Sequence, residues 1–126
     1  MEVARSLLPG RDKGSTDLFA LEVSGDSMID AMVNDGDIVI MRPTKEVRNG
    51  EMVAVWLNDR DETTLKYFYR EVERVRIQPA NSTKQPTYVE KVRVRLQPAN
   101  PTMQPIFVHP SNLEVQGKVI AVIRQL

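Results

Sequence analysis

The chain contains no cysteine. That removes a disulfide framework and thiolate chemistry. It has one histidine, His109. One histidine without cysteine argues against a structural or catalytic zinc site, and nothing in the pattern calls for a cofactor. Seventeen basic and seventeen acidic residues cancel. A domain that binds nucleic acid by itself usually carries a basic excess, and this composition has none. No apolar run approaches the roughly 20 residues that span a bilayer, and no signal peptide is visible. A cytoplasmic protein without membrane contact is expected. No pair of helical periods precedes the apolar segments, so a helix-turn-helix is not expected either. What remains is 126 residues, 41% of them hydrophobic. This is enough for one globular domain with a real core.

The chain is organised around Ser24-Gly25-Asp26-Ser27-Met28. Gly25 lets the backbone turn tightly just ahead of Ser27, which presents the hydroxyl instead of burying it. Most serines in Gly/Asp loops only make local turn hydrogen bonds. A second feature gives this one more weight. Downstream lies Thr63-Thr64-Leu65-Lys66-Tyr67-Phe68-Tyr69, with a single lysine in an apolar, aromatic strand. A serine hydroxyl needs a base to take its proton. A lysine serves when burial disfavours its ammonium form, and a Ser-Lys pair is a known variant of the serine hydrolase plan. Lysines more often lie on solvated strand faces. With period two, Thr64, Lys66 and Phe68 share one face and Leu65, Tyr67 and Tyr69 the other.

Alternation and turn residues predict a mainly β fold. Residues 1–17, punctuated by Pro9, Gly10 and Gly14, read as a linker remnant. Phe19, Leu21 and Val23 alternate in a strand feeding the Ser27 loop. Met28 to Val33 suits one short helical turn. Asp35-Gly36-Asp37 predicts a tight turn into the strand Ile38–Met41, which Arg42-Pro43 ends. Asn49-Gly50 is a strong hairpin signal, with Met52–Leu57 as the return strand. Asn58–Glu62 is a charged solvated loop that lacks the residues of a calcium loop. Val115–Arg124 is a long apolar strand near the C-terminus. Either it is an ordinary core strand, or it is an edge that pairs with another chain.

Residues 73–91 and 92–110 are a tandem duplication with a period of nineteen. Arg74-Val75-Arg76-Ile77-Gln78-Pro79-Ala80-Asn81 recurs as Arg93-Val94-Arg95-Leu96-Gln97-Pro98-Ala99-Asn100. Each copy reads as strand, Pro/Asn turn, strand. Two copies are too few for a solenoid and point to a duplicated hairpin unit. Since both offer nearly the same alternation, they are expected to compete for one sheet position. The loser extends the sheet or loops out.

The order Ser24-Gly25-Asp26-Ser27-Met28, Asp35-Gly36-Asp37, Val47–Glu51, Thr64-Leu65-Lys66, Gln97–Pro101 and Gly117–Ile120 resembles the C-terminal peptidase domain of LexA repressors, and that of their relatives, the UmuD proteins and lambda-type phage repressors. The resemblance runs from about Leu18 to Gln125. It implies a LexA/signal-peptidase-like β domain over residues 18–126 that acts as a self-cleaving serine peptidase. Ser27 is then the nucleophile and Lys66 the general base, with Asp26 and Met28 shaping the site and oxyanion region. It also implies a homodimer joined through C-terminal strands, a role in the DNA-damage response, and self-cleavage stimulated by the RecA–single-stranded DNA filament. Operator DNA would be reached only through an N-terminal domain that this chain lacks. The family cuts itself at Ala-Gly, well upstream of the serine. This chain has no Ala-Gly, and twenty-six residues precede Ser27. It is therefore expected to keep the catalytic groups and lack the cis substrate. The second repeat copy, with Asn100-Pro101 and Ile106-Phe107-Val108, fits the family pattern better than the first.

Two other readings share these residues. One is a UmuD-like polymerase accessory subunit. The other is a phage-type repressor oligomerisation domain in which cleavage is incidental. Signal peptidases use the same chemistry, but the missing membrane anchor argues against them.

Overall fold

A computed structural model describes residues 2–3, 17–81 and 83–124. The expected linker, residues 1–17, lies mostly outside these, except that Glu2–Val3 forms a short strand, β1. The others are β2 (Phe19–Glu22), β3 (Ile38–Pro43), β4 (Met52–Leu57), β5 (Glu62–Ile77), β6 (Thr87–Gln97), β7 (Ile106–Val108) and β8 (Leu113–Ile123). They form one antiparallel sheet in the order β1-β2-β3-β8-β4-β5-β6-β7. Two single 3-10 turns, Ile29–Ala31 and Pro110–Asn112, are the only helical pieces among the described residues. No helix there is long and apolar enough to cross a membrane. The mainly β expectation holds.

The centre of the sheet is buried on both faces. Leu21, Val23, Met28, Val33, Val39, Met41, Ala54 and Leu65 pack together in one cluster. Val53, Val55, Leu57, Phe68, Val94 and Leu96 form another. Strand β4 alternates between them, Ala54 in the first and Val53 and Val55 in the second. Its unbroken apolar run is what burial on both sides requires.

The Asn49-Gly50 hairpin is corrected by the sheet order. β3 and β4 are not neighbours, because β8 lies between them. The turn itself forms. Glu51 N–H donates to the Arg48 carbonyl at 3.2 Å, and Gly50 takes φ +90°. It folds against β5 instead: Gly50 N–H donates to the Phe68 carbonyl at 2.8 Å, and Asn49 Oδ1 accepts from Arg70 N–H at 2.7 Å. A local turn signal fixes the bend and says nothing about which strand fills the neighbouring slot. The long apolar β8 fills it. Gly117 permits the close approach: a Cβ there would sit 2.6 Å from the Arg42 carbonyl oxygen on β3.

β8 is a core strand over part of its length only. Leu113–Lys118 is paired with β4, and Gly117–Ile123 with β3. Beyond Lys118 the β4 side of β8 has no strand partner among the described residues, and Ile120, Val122 and Ile123 are exposed.

The duplication builds one hairpin twice, in series. In copy one, Val75, Arg76 and Ile77 pair with Val89, Tyr88 and Thr87. In copy two, Val94, Arg95 and Leu96 pair with Val108, Phe107 and Ile106. The guanidinium of Arg74 lies 3.9 Å from the Tyr88 ring centre, and that of its counterpart Arg93 lies 4.2 Å from the Phe107 ring centre. The copies differ in place. Copy two lies on the core, with Val94 and Leu96 buried. Copy one lengthens the β5–β6 hairpin into an exposed arm, so the duplicate extends the sheet and does not loop out.

This pairing gives an internal comparison. Leu96→Ala should lose about 2–5 kcal/mol of unfolding free energy, the usual cost of a cavity at a buried leucine. Its counterpart Ile77, 48% exposed, should lose no more than about 0.5–1 kcal/mol on Ile77→Ala. Urea denaturation of the two variants measures the difference. Equal losses would mean that the arm is packed as tightly as the core.

Candidate active site

Ser27 lies in the loop joining β2 to β3. Gly25, at φ +89°, makes the turn ahead of it, a conformation L side chains rarely adopt. The loop is braced from the far side of the turn into β3. Gly25 N–H donates to Asp35 Oδ1 at 2.8 Å. Val23 N–H donates to the Asp37 carbonyl, and Gly36 N–H donates back to the Val23 carbonyl, both at 2.8 Å. Met28 is sunk in the first core cluster, which anchors the loop and leaves Ser27 half-buried at its rim.

Lys66 lies on β5 opposite Val53. It is only 7% exposed. Its Nζ is 3.0 Å from Ser27 Oγ, 2.7 Å from Thr64 Oγ1 and 3.1 Å from the Leu65 carbonyl oxygen. Burial pushes its amine below the ordinary lysine value, because desolvation disfavours the ammonium form. Thr64 and Lys66 do share a strand face, and their side chains touch.

The other two expected site residues enter differently from Ser27 and Lys66. Asp26 contributes its backbone: the carbonyl accepts from Asn100 Nδ2 at 2.9 Å and from Ile29 N–H at 3.3 Å. Its carboxylate side is exposed. Met28 contributes packing, and its Sδ accepts from Ala99 N–H at 3.4 Å. His109 stands apart and caps the turn at Pro110–Asn112, accepting from Ser111 N–H at 3.1 Å.

Four contributors were given no site role by the sequence. Thr64 was signalled by its place two residues before Lys66 on the same face. Asn100 and Ala99 share the Gln-Pro-Ala-Asn run with Asn81 and Ala80, and Pro101 in place of Ser82 is the nearest local difference after it. Arg124 closes the loop from the end of β8, donating to both Asp37 carboxylate oxygens at 3.2 Å and to the Met32 carbonyl at 2.9 Å.

Comparison with known proteins gives the family of the chain. Residues 1–93 match the family described as peptidase S24-like. The chain belongs to that family. It is 53% identical over 109 residues to a LexA repressor of a Roseiflexus species, covering 86% of this chain and 41% of that protein. It is 44% identical over 118 residues to the LexA repressor of Herpetosiphon aurantiacus, covering 93% of this chain and 45% of that one. With the Staphylococcus aureus LexA repressor the identity is 46% over 112 residues, 89% and 44% of the two chains. The chain thus spans less than half the length of these LexA relatives. As the motif order anticipated, it has the sequence of a LexA-type C-terminal domain in a serine peptidase family.

Two predictions follow from the buried charges of this S24-like domain. The Arg124 guanidinium, with the Asn34 amide, holds the Asp37 carboxyl below its usual range. A carboxyl with a lowered native pKa adds stability above its unfolded pKa and loses it as pH falls through the native one. Asp37→Asn should therefore be less stable at neutral pH and show a shallower loss on acidification, read as melting temperature against pH.

Lys66 works in the opposite sense. Its native pKa lies below its unfolded one, so the unfolded chain binds the extra proton and stability rises with pH toward the unfolded value near ~10.4. Lys66→Met should melt higher than wild type at neutral pH, with the gain shrinking as pH rises. A gain independent of pH would mean that the lysine stays protonated in the fold.

Proposed function

We propose that this domain is the catalytic and dimerisation part of a LexA-type repressor of the SOS response, a cytoplasmic regulator that cuts itself with a Ser27–Lys66 dyad. The observation that carries this reading is the 3.0 Å approach of a buried Lys66 Nζ to Ser27 Oγ. A neutral amine has one lone pair and two N–H groups. With Thr64 Oγ1 and the Leu65 carbonyl taking the two N–H bonds, the lone pair is left for the Ser27 hydroxyl proton.

The chemistry follows in balanced steps. Ser27 Oγ attacks a peptide carbonyl carbon as its proton passes to Lys66 Nζ. The oxyanion collapses and breaks the C–N bond, and the departing amine takes the proton from Lys66. Water then gives a proton to Lys66 Nζ and attacks the ester carbon, and Ser27 Oγ leaves and takes that proton back. Among the described residues the N–H groups of Ser27 and Met28 have no hydrogen-bond partner, which leaves them free to bind the oxyanion.

The regulatory half of the proposal rests on the relatives. The RecA–single-stranded DNA filament would favour the conformation in which the cleavage segment reaches Ser27, and operator DNA would be bound by a further domain. A homodimer is supported by the open edge at Val119–Ile123, with Ile120, Val122 and Ile123 exposed along it.

The test is cleavage in trans of a LexA-type fragment carrying its Ala-Gly loop. Ser27→Ala and Lys66→Ala should each abolish cutting. The wild-type rate should rise with pH as Lys66 loses its proton, with a midpoint below the ordinary lysine value. A Ser27-dependent rate that is flat with pH would remove Lys66 as the base.

A further inference from the structure

The peptide unit between Asp26 and Ser27 has two ends. One is the Asp26 carbonyl, and the other is the Ser27 N–H. A trans peptide is planar, so fixing the carbonyl direction points the N–H the opposite way. Asn100 Nδ2 donates to that carbonyl at 2.9 Å. The Asn100 side chain is itself fixed, because Oδ1 accepts from Thr102 N–H at 3.0 Å and Thr102 Oγ1 at 2.7 Å. Residue 100 is 8% exposed, so water is a poor substitute partner. Its neighbour completes the grip on the loop: the Ala99 carbonyl accepts from Asp30 N–H at 2.7 Å, and Ala99 N–H donates to Met28 Sδ at 3.4 Å. Residues 99 and 100 thus hold the chain on both sides of Ser27.

The duplication supplies a matched control within the same molecule. Asn81 Oδ1 accepts from Thr83 N–H at 3.0 Å and Thr83 Oγ1 at 2.7 Å, as Asn100 does with Thr102. The turn is therefore a property of the repeated sequence. Asn81 is exposed on the arm, and its Nδ2 has no partner among the described residues. Only the second copy aims its amide at the nucleophile loop.

We infer that Asn100 is a positioning residue that orients the Asp26–Ser27 peptide, so that the Ser27 N–H faces the developing oxyanion, and that its duplicate Asn81 has no part in this. The inference rests on the Ser27 peptidase reading. Asn100 acts on the backbone N–H and not on the amine, so it should govern the height of the pH–rate curve and leave its midpoint to Lys66.

Asn100→Asp separates the two functions of the side chain. It keeps an acceptor for Thr102 and removes the donor to the Asp26 carbonyl. Its maximal rate of trans cleavage should fall about ten- to a hundredfold, the scale on which misplacement or loss of an oxyanion donor acts. The alkaline midpoint and KM should be unchanged. Asn100→Ala should behave alike, and Asn81→Ala like wild type. A variant that melts below the assay temperature is replaced by Thr102→Val, which loosens the amide and should lower the rate severalfold at the same midpoint.

A readout independent of activity is the carbonyl-carbon NMR shift of Asp26. It should move in the Asn100 variants and stay put in Asn81→Ala. Asn100→Asp at the wild-type rate, an unmoved Asp26 shift, or loss only when both asparagines are replaced overturns the assignment. If the wild-type chain cuts no faster than Ser27→Ala while the Asp26 shift still responds to Asn100, the loop contact stands. The peptidase reading then falls, and the catalytic role of Asn100 falls with it.

Discussion

A lysine amine held out of water has to be neutral or well partnered, and in this domain the requirement falls on Lys66. Its stem is fixed by the β4–β5 ladder, where it pairs with Val53, a residue with no exposure. That register also sets Thr64 on the same face, which supplies one of the three oxygens around Nζ. A slip of one residue would turn Lys66 to the other side of the strand and bring Leu65 or Tyr67 in its place. The apolar alternation of β4 and β5 thus decides the chemistry as well as the core.

The serine half of the site is built differently. Its loop has no regular pairing of its own and is held from three directions. The Asp35-Gly36-Asp37 turn braces it through Gly25 and Val23. The second repeat turn braces it through Asp26, Met28 and Asp30. Arg124, at the end of β8, ties Met32 to Asp37. Two of the three braces come from residues distant in the chain, Ala99 and Asn100 on one side and Arg124 on the other. The lysine is fixed by local register and the serine by long-range contacts.

That difference explains what could be read from the sequence. Ser27 and Lys66 stood out because a glycine turn and an apolar strand leave local marks, and the motif order joined them. Strand positions were legible from alternation, down to the shared face of Thr64 and Lys66. The neighbour of β3 was not, because hydrogen bonding between strands leaves no trace in either strand alone. Asn49-Gly50 gave its turn correctly and its partner wrongly, folding onto Phe68 and Arg70 of β5. Asn100 was hidden for a sharper reason. Asn81 ends the same Gln-Pro-Ala-Asn run and has the same turn geometry, so the amide's partner is set by tertiary position.

Why copy two holds the core position can be argued from turns and volumes. If copy one lay there, Tyr67 would pair with Gln78, nineteen residues before its present partner Gln97. The hairpin would then close through Val72-Glu73. Two-residue hairpin turns favour glycine or asparagine at positive φ, and a β-branched valine is poorly suited to that conformation. Ile77 would replace Leu96 at little penalty. Thr87 would take the place of Ile106, which packs against the second core cluster, and a hydroxyl would enter an apolar site. The observed register avoids both penalties and keeps the copy-one strands paired as an arm. Inserting a strand-turn-strand unit into an antiparallel hairpin lengthens both strands together, so the alternation of the core part is preserved. Because loop-closure entropy grows slowly with the added length, the extra nineteen residues can be carried outward without disturbing Ser27 or Lys66.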